Sequence, residues 1–134
     1  MKKREEDNIA LVKRFYQYLD ENDREGAYDN IISDDCVLHE ADVLPYGGVY
    51  RGRNLMKETL AGVMAGFDEF ECEIRNYLAG GDEVVVHLNI SGVGRQSRKP
   101  FSLPLMELWR FENGKAVELR PFLFDPTALA EALA

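Results

Sequence analysis

Hydrophobic positions recur at two periods along this chain, and the change from one to the other divides it into a helical half and a strand half. Ile9, Val12, Tyr16 and Leu19 form one stripe at helical spacing, flanked by Leu11, Phe15 and Tyr18, which predicts a first helix over residues 5–21. Asn22 followed by Glu25 predicts a capping box that opens a second helix, Asp23 to Ile32. A short strand from Cys36 to Ala41 comes next. The segment Asp42 to Arg53 holds Pro45 and the pair Gly47–Gly48, so it predicts a loop without regular structure. A third helix runs from about Asn54 to Gly66, with Met56, Leu60, Val63 and Met64 on one face.

Beyond Phe67 the pattern alternates. Phe70, Cys72 and Ile74 interleave with Glu69, Glu71, Glu73 and Arg75, and Gly80–Gly81 turns the chain into a second strand. There Val84, Val86, Leu88 and Ile90 share one face, while Val85, His87, Asn89 and Ser91 share the other. Phe101–Phe111 alternates in the same way through Leu103, Leu105, Glu107 and Trp109. Asn113–Gly114 is a two-residue hairpin signal leading into Lys115–Phe124. Pro104 cannot donate to a strand ladder, so a bulge or an unpaired stretch is expected around it. Asp125–Pro126 then opens a last short helix, Thr127 to Leu133. Helices followed by strands predict an α+β fold, with three to four helices packed on a curved, mostly antiparallel mixed sheet.

Composition narrows the function classes. The chain has 134 residues, 46% of them hydrophobic, which suits one domain over residues 1–134 with a real core. A formal charge of −8 argues against a nucleic-acid partner or an anionic membrane surface. No apolar run approaches a membrane span, and the charged start MKKREEDNIALVKRF does not read as a signal peptide. Cys36 and Cys72 are expected as reduced core residues of a cytoplasmic protein. No His, Cys or carboxylate spacing suggests a metal, and no motif calls for a cofactor.

Candidate chemistry rests on two glutamates. Alternation places Glu107 on the same face as Leu105 and Trp109, where an ionised carboxylate is costly unless paired, hydrogen-bonded or protonated. A raised pKa suits acid–base work. Leu38 and Glu40 share a face of the short strand, so a second carboxylate looks toward the same cavity, and two such groups can divide acid and base roles. The alternative for Glu107 is a structural ion pair with Arg51, Arg53 or Arg120. His39 points away from Glu40 and is expected to be structural. His87, with Val85, Asn89, Met106 and Leu108, is expected on a face that pairs with another copy. The loop around Tyr46, Gly47, Gly48 and Tyr50 is either a lid over the pocket or an ordinary connection.

The order of elements resembles the nuclear transport factor 2-like superfamily, in its SnoaL-like and ketosteroid-isomerase-like branch, from about Asn8 to the end. The resemblance is carried by LVKRFYQYLDENDREG, DDCVLHE, YGGVYRGR and LPLMELWRFENGKAVELRPF. It implies a cone whose concave sheet face and helices enclose a ligand pocket, commonly in a homodimer. By that match Glu40 stands where the isomerases place a general base. Glu107 stands where they place the protonated acid of an oxyanion hole, three residues after a proline as here. The isomerase tyrosine falls on Phe15, which has no hydroxyl, and Tyr16 and Tyr18 face other directions on the helix, which argues against steroid isomerisation itself. The expected function is an isomerase, cyclase or hydrolase without metal or cofactor. Phe15, Tyr18, Leu38, Tyr46, Trp109 and Leu119 would shape an apolar cavity for a hydrophobic, oxygenated small molecule. A non-catalytic ligand-binding or interaction module is the second reading. An epoxide hydrolase is a third, but its Asp–Arg–Asp constellation has no counterpart in this chain.

Overall fold

A computed structural model describes residues 2–134. Helices α1 (Lys3–Asp20) and α2 (Arg24–Ile31) are followed by β1 (Ile32–Glu40), β2 (Gly48–Arg51) and α3 (Arg53–Met64). Strands β3 (Phe67–Gly80), β4 (Glu83–Gly94), β5 (Pro100–Glu112) and β6 (Lys115–Leu123) then lead to α4 (Pro126–Ala132). All six strands form one sheet in the order β2-β1-β6-β5-β4-β3. The β1–β6 pair is parallel and the others are antiparallel, so the sheet is mixed and mostly antiparallel as expected. It remains open, and with the helices on its concave face it forms an α+β cone.

Local chemistry explains most boundaries. Asn22 takes a left-handed φ of 60° at the end of α1, so it cannot be the extended N-cap of α2. That role falls to Asp23, whose carboxylate accepts from the Gly26 amide at 2.9 Å, rather than to the Asn22–Glu25 box. At the hairpin, Asn113 and Gly114 have φ values of 50° and 77°, the paired left-handed conformation of a tight two-residue turn. Asp125 caps α4 by accepting from the Ala128 amide at 3.1 Å, with Pro126 at its first position.

Three expectations are corrected. The segment expected as a structureless loop contains β2, which pairs antiparallel with β1 from Val37↔Arg51 to Glu40↔Gly48. Only four residues long and opened by a glycine, that strand carries too little alternation to be read. Pro104 makes no bulge, because it pairs in unbroken register with Asn89 of β4, while the expected unpaired stretch is present on the β6 side, where pairing begins only at Leu105. Its carbonyl, on the β6 side, accepts from the Phe124 amide at 3.1 Å just past the end of the β5–β6 ladder. Both polar groups of an antiparallel residue face the same neighbour, so the missing N–H is missing where no ladder bond is required. Cys72 is exposed rather than in the core, whereas Cys36 is fully buried, and both thiols are free. The difference is positional: Cys72 lies on edge strand β3, whose inner residues Ile74 and Tyr77 are themselves only half-buried.

The core face of β4 is as the alternation predicts, with Val84, Val86, Leu88 and Ile90 all buried. On β3 a register shift between Ile74 and Asn76 keeps Tyr77 opposite Val86, on the inner side. Trp109, fully buried, centres an aromatic cluster with Phe15 at 5.1 Å and Phe111 at 6.1 Å between ring centroids. Burying such rings contributes about 1.5–3 kcal/mol each, and the cluster forms the floor on which Glu107 stands.

Candidate active site

Between α3, the end of β1 and the concave faces of β4, β5 and β6 lies a cavity of about 140 Å³. Its walls are apolar: Leu38, Leu60, Val63, Phe67, Phe70, Ile90, Leu105, Leu119 and Leu129 among them. The polar side chains on it are Glu40, Glu107 and Tyr46. Glu40 is the last residue of β1, and alternation from Leu38 turns it inward, where it keeps only 8% of its surface. Glu107 projects from the middle of β5, between Val86 of β4 and Pro121 of β6. Tyr46 comes from the β1–β2 loop. That loop is tied down by Leu44 N–H to Ala41 O at 3.0 Å, Gly47 N–H to Leu44 O at 2.9 Å and the Tyr50 hydroxyl to Tyr46 O at 2.8 Å. Gly47 is required for this fold-back, since a Cβ there would stand 2.4 Å from the Ala41 carbonyl oxygen.

The two carboxyl groups differ in their partners. Oε1 of Glu107 accepts both the Tyr16 hydroxyl and, at 3.3 Å, the Trp109 indole N–H. Its Oε2 has no partner among the described residues, and neither oxygen of Glu40 has one. No buried side-chain polar atom among the described residues is orphaned, so these oxygens face open volume. Burial pushes the Glu107 carboxyl above the usual range, against the pull of its bonds from Tyr16 and Trp109. Burial, reinforced by the charge of Glu107, pushes Glu40 up to about 8. The Tyr46 phenol is raised by burial and by the charge of Glu40, and the Tyr16 phenol by burial and by Glu107.

No arginine pairs with Glu107 among the described residues. Arg53 reaches Asp34 at 2.7 Å, and Arg120 reaches Glu118 at 3.5 Å. Of the residues expected to shape the pocket, Leu38, Tyr46 and Leu119 line the cavity. Phe15 and Trp109 sit behind Glu107 in the aromatic cluster instead. Tyr18 lies outside, where its hydroxyl accepts from Arg14 and Asn30, each at 3.2 Å. Tyr16 is the residue that sequence reasoning set aside. Its signal in the sequence is the inward stripe that it shares with Val12, one position along the helix from the Phe15 that matches the isomerase tyrosine. His39 pairs with Glu118 at 3.0 Å on the other side of the sheet. Among the described residues no group of three or more His, Cys, Asp or Glu is placed to hold a metal ion, and no helix is long and apolar enough to cross a membrane.

Known structures share this architecture across nearly the whole chain. An NTF2-like protein of unknown function from Burkholderia pseudomallei superposes with a TM-score of 0.84 at 19% identity, covering 96% of this chain and 98% of that one. A putative SnoaL-like polyketide cyclase from Jannaschia sp. superposes with a TM-score of 0.86 at 17% identity, covering 100% and 96%. A protein of unknown function with a cystatin-like fold from Xanthomonas campestris gives 0.82 at 25% identity, covering 95% and 98%. No curated protein matches the chain significantly. Residues 12–119 match the SnoaL-like domain, which takes in α2, α3, all of β1 to β5 and both glutamates, and the chain therefore belongs to the SnoaL-like family.

Proposed function

We propose that this protein is an enzyme that moves protons on a hydrophobic, oxygenated small molecule, as an isomerase or cyclase does, with Glu107 and Glu40 as the working pair. The observation that carries this reading is the unequal bonding of two carboxyls on one apolar cavity. Glu107 has two donors to stabilise its charge, and Glu40 has none. Of the two, Glu107 ionises first, and its charge helps Glu40 keep its proton. Glu107 then removes a proton from the carbon beside a substrate carbonyl. Glu40 gives its proton to the carbonyl oxygen, and the neutral product of that exchange is the enol. Glu107 returns its proton to a different carbon while the enol hydroxyl gives its proton back to Glu40, which completes an isomerisation and restores both groups. These roles are the reverse of those implied by the resemblance to the isomerases, which made Glu40 the base and Glu107 the donor.

The test is the exchange of α-protons of cyclohex-2-enone and cyclohexanone for deuterium in D2O, followed by NMR. Wild-type protein should accelerate it, and Glu107→Gln should slow it by about 10²-fold or more with its circular dichroism unchanged. Exchange no faster than the buffer rate would favour the non-catalytic ligand-binding reading.

We further propose a homodimer through the outer sheet face. Phe122, Phe124 and Met106 are exposed there, and with His87 and Pro104 they line a groove of about 320 Å³. A strictly monomeric mass in light scattering at two concentrations would contradict it. The two free thiols fit a reducing compartment, the cytoplasm.

A further inference from the structure

We infer that the cavity takes a neutral ligand of a single ring that presents one hydrogen-bond-accepting oxygen, such as a cyclic ketone or enone, and turns away both carboxylates and fused polycycles. The inference rests on the acid–base reading of the same site and specifies its ligand.

Size comes first. The cavity, partly open to solvent, offers about 140 Å³, and an apolar cavity of about 150 Å³ holds one benzene ring. A four-ring skeleton needs several times that space. The floor cannot yield it, because Trp109 is fully buried, stacked on Phe111 and met edge-on by Phe15. The opposite wall is Leu60, Val63 and Phe70, and these set the upper limit on the ligand.

Charge comes second. The side chains lining the cavity include two carboxyls and a phenol but no cation. The arginine nearest in sequence to the β6 wall, Arg120, is engaged with Glu118 on the outer side. A carboxylate ligand would enter an apolar space next to Glu107 with nothing to pair with, at a cost no hydrogen bond here offsets. An ammonium ligand would lose its hydration to meet a Glu107 oxygen pair already half-occupied by Tyr16 and Trp109. A carbonyl oxygen instead meets two donors without partners, the Glu40 carboxyl in its neutral form and the Tyr46 hydroxyl. The free Oε2 of Glu107 is left for the C–H side of the ligand.

Isothermal titration with ligands that share one ring but differ in head group tests the charge limit: cyclohexanone, cyclohexylamine and cyclohexanecarboxylate. 1-Decalone tests the size limit. Trp109, the one tryptophan of the chain, gives a second readout through its fluorescence, since it bonds directly to Glu107. Cyclohexanone should bind saturably and perturb that fluorescence. The amine, the carboxylate and 1-decalone should each bind at least tenfold more weakly. Leu60→Ala, or Val63→Ala if the first variant loses its cooperative melt, should bring 1-decalone to within about threefold of cyclohexanone. Equal or tighter binding of the amine, the carboxylate or 1-decalone by the wild type overturns the inference. Cyclohexanone binding without α-proton exchange supports this ligand class and defeats only the enzymatic reading.

Discussion

Two neighbouring residues of β1, His39 and Glu40, open onto opposite sides of the sheet and onto opposite electrostatic solutions. On the outer side Glu118 is met by His39 at 3.0 Å, Arg110 at 3.5 Å and Arg120 at 3.5 Å. Burial alone would raise its carboxyl, but those three partners hold it below the usual range. On the inner side Glu40 has an apolar wall, a second acid and no cation, and its carboxyl is pushed up to about 8 by burial and by Glu107. The same residue type, one strand apart, is thus a fixed anion on one face and a neutral acid on the other. A fold that needed only stability would satisfy its inner carboxylates as it does Glu118. Leaving three carboxyl oxygens open to a cavity is the arrangement expected of groups that serve a ligand.

The contrast between the two faces depends most on the Glu40 carboxyl. A carboxyl raised from 4.5 to about 8 in the folded state holds its proton where the unfolded chain has lost it, so folding stability falls as pH rises between those values and levels off above. The loss is at most roughly 5 kcal/mol. Glu40→Gln should abolish most of that decline and melt higher than the wild type at pH 8.5. Urea unfolding at pH 5 and pH 8.5 measures it, and equal pH dependence in the two proteins would break the contrast.

Removing Tyr16's hydroxyl sharpens it next. Tyr16→Phe takes one donor from Oε1 of Glu107 and leaves Trp109's, so the Glu107 anion loses about 1–3 kcal/mol of support. The acidic limb of the pH–rate profile, which reports the ionisation of Glu107, should shift upward in pH, with the maximum rate about tenfold lower. An unshifted profile would show that Tyr16 only packs.

The smallest effect belongs to the outer side. Glu118→Gln, at a half-exposed site, should change stability by less than about 1 kcal/mol and in a salt-dependent way. α-Proton exchange should stay within about threefold of wild type. A large loss of exchange would mean that the two faces are coupled through β1.

Much of this was legible in the chain. Alternation from Val84 to Ile90 and the Asn113–Gly114 turn suffice to draw the central hairpins, because burying one face of a strand leaves a period of two. Glu107 stood out for the same reason, as a charge interrupting an apolar face. Less visible features depend on where neighbouring elements stop. Pro104 is harmless because β6 ends at Leu123, Cys72 is exposed because β3 is an edge, and β2 is too short to repeat a pattern. Tyr16 was hidden by a choice between adjacent helix positions. Phe15 and Tyr16 both face inward, but only the approach of α1 over β5 decides which reaches Glu107. The cavity's size is a matter of packing between α3 and the sheet and has no signature in the alternation.

In the proposed mechanism the two acids on one cavity are set apart, with Glu107 ionising first and Glu40 holding its proton. Side-chain carboxyl shifts of 13C-labelled glutamate, assigned with Glu40→Gln and Glu107→Gln, follow each group directly by NMR. Glu40 should titrate near 8 in the wild type and move to lower pH in Glu107→Gln, where its charged neighbour is gone. A Glu40 that titrates in the ordinary carboxylate range, or that does not respond to Glu107→Gln, would contradict the account.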